Sequence, residues 1–179
     1  SEGFNSNDIT DPERDPWFCA GCPHNTSTVI PEGSKALSGI GCHFMVNSME
    51  RNTSTFTHMG GEGASWLGIA PFVDEKHIFQ NIGDGTYFHS GILSIRAAVA
   101  SGVNITFKIL FNDAVALTGG QKVEGNLTPV DIVWQLRAEG VKSIAIVSNN
   151  PDKYDSNINL PSNAKVYSRN QLENVQLNF

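Results

Sequence analysis

The sequence predicts an α/β fold in which a mainly parallel sheet carries helices on both faces. From about residue 77 onward, short apolar runs alternate with segments of helical length. Glycines end two of these segments, at Gly102 and Gly140, and Thr128 followed by Pro129 is a typical helix start. Strands that alternate with helices form parallel βαβ units with right-handed crossovers, so the order of the elements predicts the fold class.

Four strands and three helices are predicted in this half of the chain. The strands are residues 77–83, 104–113, 142–150 and 164–168, and the helices are residues 86–102, 128–140 and 169–177. The first half is less regular. A glycine-rich turn around Cys42 leads into a predicted helix within residues 33–52, and a glycine-rich loop leads into a helical segment at residues 63–72.

Length and composition indicate one folded domain. The chain has 179 residues, of which 40% are hydrophobic, and its net charge is -6. That charge argues against nucleic acid or an anionic membrane as the main partner. No apolar run approaches the roughly 20 residues of a membrane-spanning helix. An odd number of cysteines, three, suits a reducing compartment, so a cytoplasmic location is expected.

The first 16 residues, SEGFNSNDITDPERDP, are polar, acidic and interrupted by prolines. Such a composition is typical of a flexible tail or linker, which leaves residues 17–179 as the folded domain. Because the sequence does not begin with methionine, we expect the chain to be either a fragment of a longer protein or a processed protein.

The sharpest local motif is Gly83-Asp84-Gly85, which follows one predicted strand and precedes a helix. In a parallel sheet this turn lies at the carboxyl edge, where ligands bind, and the helix presents unpaired N–H groups that favour phosphate. A carboxylate beside a phosphate requires a bridging cation, for which Mg²⁺ is suited. Asn112 lies at the end of the next predicted strand. This spacing is that of the thiamine pyrophosphate motif, although each half alone is also compatible with an ordinary turn.

Longer strings resemble one family. The segments FCAGCPHNTS, GIGCHFM, FTHMGGEGASWLG, QNIGDGTYFHSG and NDAVALTGGQ are similar to the thiamine-pyrophosphate-binding domain of indolepyruvate:ferredoxin oxidoreductase, in its long fused bacterial type. That enzyme belongs to the 2-oxoacid:ferredoxin oxidoreductase superfamily. The resemblance extends from about Trp17 to the end of the chain.

The resemblance implies a magnesium and diphosphate site. Asp84, Asn112 and the backbone carbonyl of Ala114 match the family's three protein ligands to Mg²⁺. The positions that match groups around the diphosphate and the rest of the cofactor are Gly83, Asp84, Gly85, Thr86, Tyr87, Asn112, Ala114 and Thr118.

The resemblance also implies an iron–sulfur site. Cys19, Cys22 and Cys42 match three cysteines that hold a [4Fe-4S] cluster in the superfamily, and the fourth ligand is absent from this chain. The residues alone leave a tetrahedral zinc site with His43, or buried free thiols, as alternatives. With an incomplete site, we expect residues 1–52 to be loosely packed or paired with a second copy.

Three further residues are candidates for contact with substrate or cofactor. His24 follows the Cys-x-x-Cys-Pro sequence, and His58 and Glu62 lie in the loop before the helical segment at residues 63–72. Each is equally compatible with a structural, hydrogen-bonded role.

The activity implied by the resemblance is oxidative decarboxylation of aryl pyruvates to acyl-CoA, with electrons passed to ferredoxin. The implied partners are ferredoxin, the 2-oxoacid and CoA substrates, the pyrimidine-binding and other domains of the same enzyme, and a second copy in a homodimer. The isolated chain is expected to be inactive, because the pyrimidine-binding domain supplies a glutamate needed for catalysis. The alternatives are another 2-oxoacid:ferredoxin oxidoreductase, a non-oxidative thiamine enzyme, and a zinc-bearing α/β interaction module.

Overall fold

A computed structural model describes residues 14–112, 120–123, 125–154 and 157–179. Six strands are formed in these ranges: β1 (Ala36–Leu37), β2 (Thr53–Ser54), β3 (Ile78–Gly83), β4 (Ile105–Leu110), β5 (Ile144–Ser148) and β6 (Ala164–Ser168). Every strand pair is parallel. The predicted α/β class with a mainly parallel sheet is therefore confirmed.

The strands form two sheets. The larger has the order β2-β1-β3-β4, and the smaller pairs β5 with β6. The long pair β3–β4 is in register from Ile78 opposite Ile105 to Gly83 opposite Leu110. Because both strands run in the same direction, the residues that follow Gly83 and Leu110 emerge at the same edge. This register brings the two halves of the predicted motif together.

Six α-helices lie in the described ranges: α1 (His24–Ser27), α2 (Ala64–Ile69), α3 (Asp84–Thr86), α4 (Ile92–Ser101), α5 (Pro129–Ala138) and α6 (Leu172–Gln176). Short 3₁₀ turns at Cys42–Ser48, Ala70–Phe72, Pro151–Tyr154 and Arg169–Gln171 complete the regular structure. Thr128 caps α5 in a reciprocal capping box with Asp131, as its sequence predicts. No helix in the described part of the chain is long and apolar enough to cross a membrane.

The predicted helix 86–102 is not uniform. A π-helical turn, Tyr87–Gly91, separates α3 from α4, and the helix ends at Gly102 in the left-handed conformation, with φ 70°. Gly91 lies inside the π turn, where a Cβ atom would come within 2.4 Å of Ile82 Cδ1. Close packing of this turn on β3 thus requires glycine at that position.

One apolar core joins the two sheets. Ile82 of β3, Ile95 of α4 and Ile146 of β5 pack with Tyr87 and with the buried face of α5. Burial of this set is the main force that holds β5 and β6 on the larger sheet, because apolar area removed from water dominates stability.

The first half departs from the sequence prediction. The residues after Cys42 form a 3₁₀ turn, not an α-helix, and the two-residue strands β1 and β2 were not predicted. Thr28, His43 and Val46 are at most 2% exposed, so the expected loose packing is wrong around these residues, whereas pairing with a second copy stays a prediction. Residues 1–13 lie outside the described residues, so the boundary of the predicted tail at residue 16 stays a prediction.

Candidate functional site

Asp84 and Asn112 meet at the carboxyl edge of the larger sheet. Asp84 is 5% exposed, and its two carboxylate oxygens accept from two backbone N–H groups. Oδ1 accepts from Gly85 N at 2.8 Å, and Oδ2 accepts from Asn112 N at 2.8 Å. The carboxylate therefore ties the end of β4 to the turn after β3. We call the turn Gly83–Gly85 together with Asn112 the glycine corner.

His24 lies beside this corner although it is 88 residues away from Asn112 in the chain. Asn112 Nδ2 donates to His24 Nε2 at 3.1 Å, which requires that nitrogen to be unprotonated. Burial lowers the pKa of His24, and the Arg169 charge acts in the same direction, while Asp84 opposes both. Burial and the contact with Asn112 Nδ2 therefore both favour the neutral form of His24 at the edge where the two strands end.

The residues in and after the turn differ in backbone conformation and in burial. Gly83 has φ -77°, so it occupies an ordinary extended conformation, and a Cβ there would lie 3.4 Å from His43 Cε1. Thr86 is 3% exposed and Tyr87 is 1% exposed. The Tyr87 hydroxyl donates to Gln135 Oε1 of α5 at 2.8 Å, so this side chain points into the core and only its backbone belongs to the corner. Ala114 and Thr118 lie outside the described residues.

The three cysteines are free and at least partly accessible, with Cys19 the most exposed. Burial raises the pKa of the Cys42 thiol, and the negative charges of Cys22 and Cys19 add to this effect. The fold has therefore brought the Cys-x-x-Cys sequence and the later cysteine within electrostatic reach of one another. Within the described residues, no group of three His, Cys, Asp or Glu side chains is arranged to hold a single metal ion.

His43 does not join the cysteines. It is 2% exposed, and burial lowers its pKa to about 4, with a smaller contribution from His24. A Cβ on Gly39 would lie 2.7 Å from His43 Nε2, and one on Gly41 would lie 2.7 Å from its Cε1. The ring fills the space under the loop Gly39–Gly41, and its Nε2 has no hydrogen-bond partner among the described residues.

Glu62 and His58 occupy one loop but different environments. Glu62 is fully buried, and its carboxylate accepts from Gly60 N at 2.7 Å and Ile40 N at 3.5 Å. Desolvation raises the pKa of Glu62, while these backbone bonds and the His58 charge oppose the rise. His58 itself is exposed. Glu62 thus fixes the loop to the segment before Cys42, and contact of either residue with substrate stays a prediction.

Three cations that the sequence did not single out hold the Cys-x-x-Cys region. Arg51, Lys108 and Arg169 come from three separate parts of the chain, and each donates to oxygens within residues 23–29. We call residues 17–29 the cysteine segment. A single sequence gives no signal for these contacts, because each one spans more than 20 residues.

Comparison with known proteins identifies the family of the chain. Residues 39–159 match a family described as thiamine pyrophosphate enzyme, C-terminal TPP binding domain, which covers more than half of the chain. The chain belongs to this family. The matched range of this thiamine pyrophosphate-binding domain contains the glycine corner and Cys42, and it begins after Cys19 and Cys22.

The curated relatives that match include proteins named indolepyruvate oxidoreductase subunit IorA. The domain is 29% identical to the protein of Thermococcus kodakarensis over 170 residues, which cover 80% of the domain and 26% of the relative. It is 34% identical to the protein of Archaeoglobus fulgidus over 122 residues, 64% of the domain and 19% of the relative. For Methanothermobacter marburgensis the identity is 31% over 132 residues, 67% of the domain and 21% of the relative.

The domain therefore spans about a quarter or less of the length of these relatives. No solved structure shows significant similarity to it.

Proposed function

We propose that the glycine corner binds the diphosphate of thiamine pyrophosphate through Mg²⁺. The observation that carries this proposal is the convergence of Asp84, Asn112 and His24 at one strand edge inside a family of thiamine pyrophosphate-binding domains. A carboxylate and an amide oxygen are hard ligands of the kind that Mg²⁺ prefers.

The donor set fits the metal. Asn112 donates through Nδ2 to His24, so its Oδ1 is the amide atom that can ligate a cation. Asp84 is fixed by two backbone N–H groups, so its carboxylate is oriented before any ligand arrives. Such preorganisation lowers the cost of binding. The backbone carbonyl of Ala114 is proposed as the third protein ligand, with Thr118 near the cofactor.

The residues in and beside the glycine corner have different proposed roles. Asp84 and Asn112 balance the charge of the diphosphate through the cation. Gly83, Gly85 and the backbone of Thr86 line the start of the helix, where N–H groups favour phosphate oxygens. His24 presents a neutral imidazole that can hold a proton at this edge. When bound at this corner, thiamine pyrophosphate would supply carbanion chemistry at the keto carbon of a 2-oxoacid.

The cysteines are proposed as three ligands of a [4Fe-4S] cluster. Cys42 feels the charges of Cys22 and Cys19, which supports convergence of the thiolates on one group. Thiolates are the usual ligands of such clusters. With three ligands in this chain, the fourth would come from another part of the enzyme.

The whole enzyme is proposed to be an indolepyruvate:ferredoxin oxidoreductase. In this enzyme the domain would act together with a pyrimidine-binding domain. Ferredoxin is the proposed electron acceptor, and CoA is the proposed acceptor of the acyl group. The names of the curated relatives support this assignment. We propose a homodimer in the cytoplasm. The domain alone is proposed to be inactive, because the pyrimidine-binding partner is missing.

Calorimetric titration tests the cofactor site. We expect the 179-residue chain to bind thiamine pyrophosphate only when Mg²⁺ is present. Equal affinity with and without the cation would contradict the proposal.

Metal analysis tests the cysteines. After anaerobic reconstitution, we expect fewer than the four irons of a complete [4Fe-4S] cluster per chain, with correspondingly little sulfide. The sample should show the broad visible absorbance, at roughly 400 nm, that is typical of iron–sulfur centres. Cys42→Ser should abolish both signals. Zinc without colour would favour the interaction module instead, and four stable irons per chain would contradict the assignment of an incomplete site.

A dye assay tests the activity. The full-length enzyme should reduce a viologen when given indolepyruvate and CoA, and the 179-residue chain should not. Reduction by the isolated chain would show that no further domain is needed.

A further inference from the structure

The turn that carries His24 is a single helical turn, closed by Ser27 N to Pro23 O and Thr28 N to His24 O, each at 3.0 Å. Helix α1 has only four residues, His24–Ser27, and its N-cap, Pro23, makes no side-chain capping bond. Helices this short are unstable in water, because nucleation costs more than one turn of hydrogen bonds returns. The internal bonds close the turn but do not fix its position at the sheet edge, which depends on contacts from other parts of the chain.

Arg169 supplies such a contact from the other end of the chain. It is the first residue after β6, and the Ser168–Gln171 capping box orients the turn in which it lies. Its Nη2 donates to Pro23 O, to Thr26 Oγ1 at 2.7 Å and to Ser27 Oγ at 2.6 Å. One guanidinium thus contacts the carbonyl before the helix and two hydroxyls within it.

The same guanidinium lies near the reactive groups. Its charge acts on His24, and the Cys22 sulfur acts on it in turn. Lys108 of β4 supports the far end of the turn through Val29 O, at 3.0 Å, and through Gln176 Oε1 of α6. No ion pair with a carboxylate joins Arg169 within the described ranges, where the only pairs are Lys35–Glu75 and Arg96–Glu139.

We propose that Arg169 is a positioning residue of the candidate site, which holds the turn Pro23–Ser27 so that His24 stays in contact with Asn112. This proposal rests on the proposed function for its consequences in cofactor binding, but the position of His24 can be measured without any cofactor.

The test compares Arg169→Gln with Arg137→Gln, which removes a charge of the same kind from an exposed position on α5. Imidazole NMR signals of His24, identified by their loss in His24→Gln, report its contact with Asn112. We expect Arg169→Gln to shift them and Arg137→Gln to leave them unchanged. Circular dichroism confirms that each variant is folded.

The second readout is calorimetry with thiamine pyrophosphate and Mg²⁺. Loss of a charged donor shared by three oxygens should weaken binding about tenfold in Arg169→Gln, and Arg169→Lys should restore part of it. Should Arg169→Gln fail to fold, Thr26→Val with Ser27→Ala removes two acceptors and should shift the same signals by a smaller amount.

The outcomes separate the two proposals. Unshifted His24 signals in a folded Arg169→Gln would overturn the positioning role, whatever the chain binds. Shifted signals without any binding by the wild-type chain would support positioning and contradict the cofactor site. Equal shifts in Arg169→Gln and Arg137→Gln would show a general charge effect and would also overturn the proposal.

Discussion

The glycine corner and the cysteine segment lie side by side, but different interactions hold them. The corner is made by backbone: β3 and β4 pair over six residues, and Asp84 accepts from two backbone N–H groups. The cysteine segment has one short helix and is held by side chains of Arg51, Lys108 and Arg169. Preorganisation at the corner is thus local, whereas at the cysteines it depends on residues distributed over the chain.

The difference matters for how each region responds to change. A backbone ladder adds many small contributions, so one substitution rarely removes it. When a segment is held by a few cationic side chains, substitution of one of them removes a large part of the stabilising free energy. Substitutions should therefore separate ligand binding at the corner from order in the cysteine segment.

The largest effect is expected from Asp84→Asn, which should abolish Mg²⁺-dependent binding of thiamine pyrophosphate, with a loss of about 100-fold or more. A neutral amide cannot balance the diphosphate charge, and its NH₂ would face one of the two backbone donors that Asp84 now accepts from. Calorimetry measures the affinity. Asp74→Asn, at an exposed position, is the matched control and should bind like the wild type; retained binding in Asp84→Asn would place the metal elsewhere.

Arg51→Gln should loosen the cysteine segment and leave the corner ordered. Arg51 donates to Asn25 O at 2.6 Å and to Thr28 Oγ1 at 2.7 Å, and its guanidinium lies 5.7 Å from the centre of the Phe18 ring. Hydrogen bonds to charged groups contribute about 1.5–3 kcal/mol each, so local opening of residues 17–29 should become about tenfold or more frequent.

Amide hydrogen exchange measures this opening. Protection of β3 and β4 should stay the same in Arg51→Gln, and Arg137→Gln should change neither region. Equal loss of protection in the cysteine segment and in β3 would show that the two regions open together.

Stability should rise with pH because of Lys108. Burial lowers the pKa of this lysine to about 7, and the Arg169 charge acts in the same direction. An unfolded lysine keeps its proton to about pH 10, so between pH 7 and 9 the unfolded state binds more protons and the free energy of unfolding increases with pH, by about 2 kcal/mol. Urea unfolding at several pH values measures the slope.

Lys108→Met should remove this increase, while Lys165→Met, at an exposed position on β6, should keep it. The same slope in Lys108→Met and the wild type would mean that another group is responsible.

The smallest expected effect comes from a helix cap that lies outside both the glycine corner and the cysteine segment. Thr128 Oγ1 accepts from Asp131 N at 3.2 Å at the start of α5, and Thr128→Ala removes this cap. The expected loss is about 1 kcal/mol in the free energy of unfolding, without any change in cofactor binding. Thr128→Ser preserves the hydroxyl and should restore the stability; a loss of cofactor affinity in Thr128→Ala would mean that α5 and the corner are coupled.

The second half of the fold was predictable because its signals are local. Strand β6 has the predicted limits, 164–168, and Thr128 with Pro129 starts α5 as expected. The strands β1 and β2 have two residues each, too short for any periodicity. Helix α1 has four residues and depends on distant side chains, so propensity could not reveal it.

The candidate site likewise contains contacts that the sequence pattern predicts and contacts that it does not. Proximity of Asp84 and Asn112 follows from two adjacent parallel strands, which a sequence pattern can show. Contact of His24 with Asn112 spans 88 residues, and that of Arg169 with Ser27 spans 142. Neither contact leaves a local trace in one sequence. The buried role of Glu62 was also hidden, because its acceptor bonds are to backbone groups.

The π-helical turn Tyr87–Gly91 determines how the glycine corner is rotated about the helix axis relative to α4. A π turn accommodates one residue more than an α turn, so the residues before it are rotated by about 100° relative to an unbroken helix. Helix α4 is anchored by Ile95 and Ala98 in the core, whereas Asp84 precedes the bulge. Loss of one residue between Tyr87 and Gly91 would leave a regular helix with its anchor unchanged, but it would turn the carboxylate away from Asn112. The length of this turn, as much as the identity of its residues, thus determines where Asp84 points.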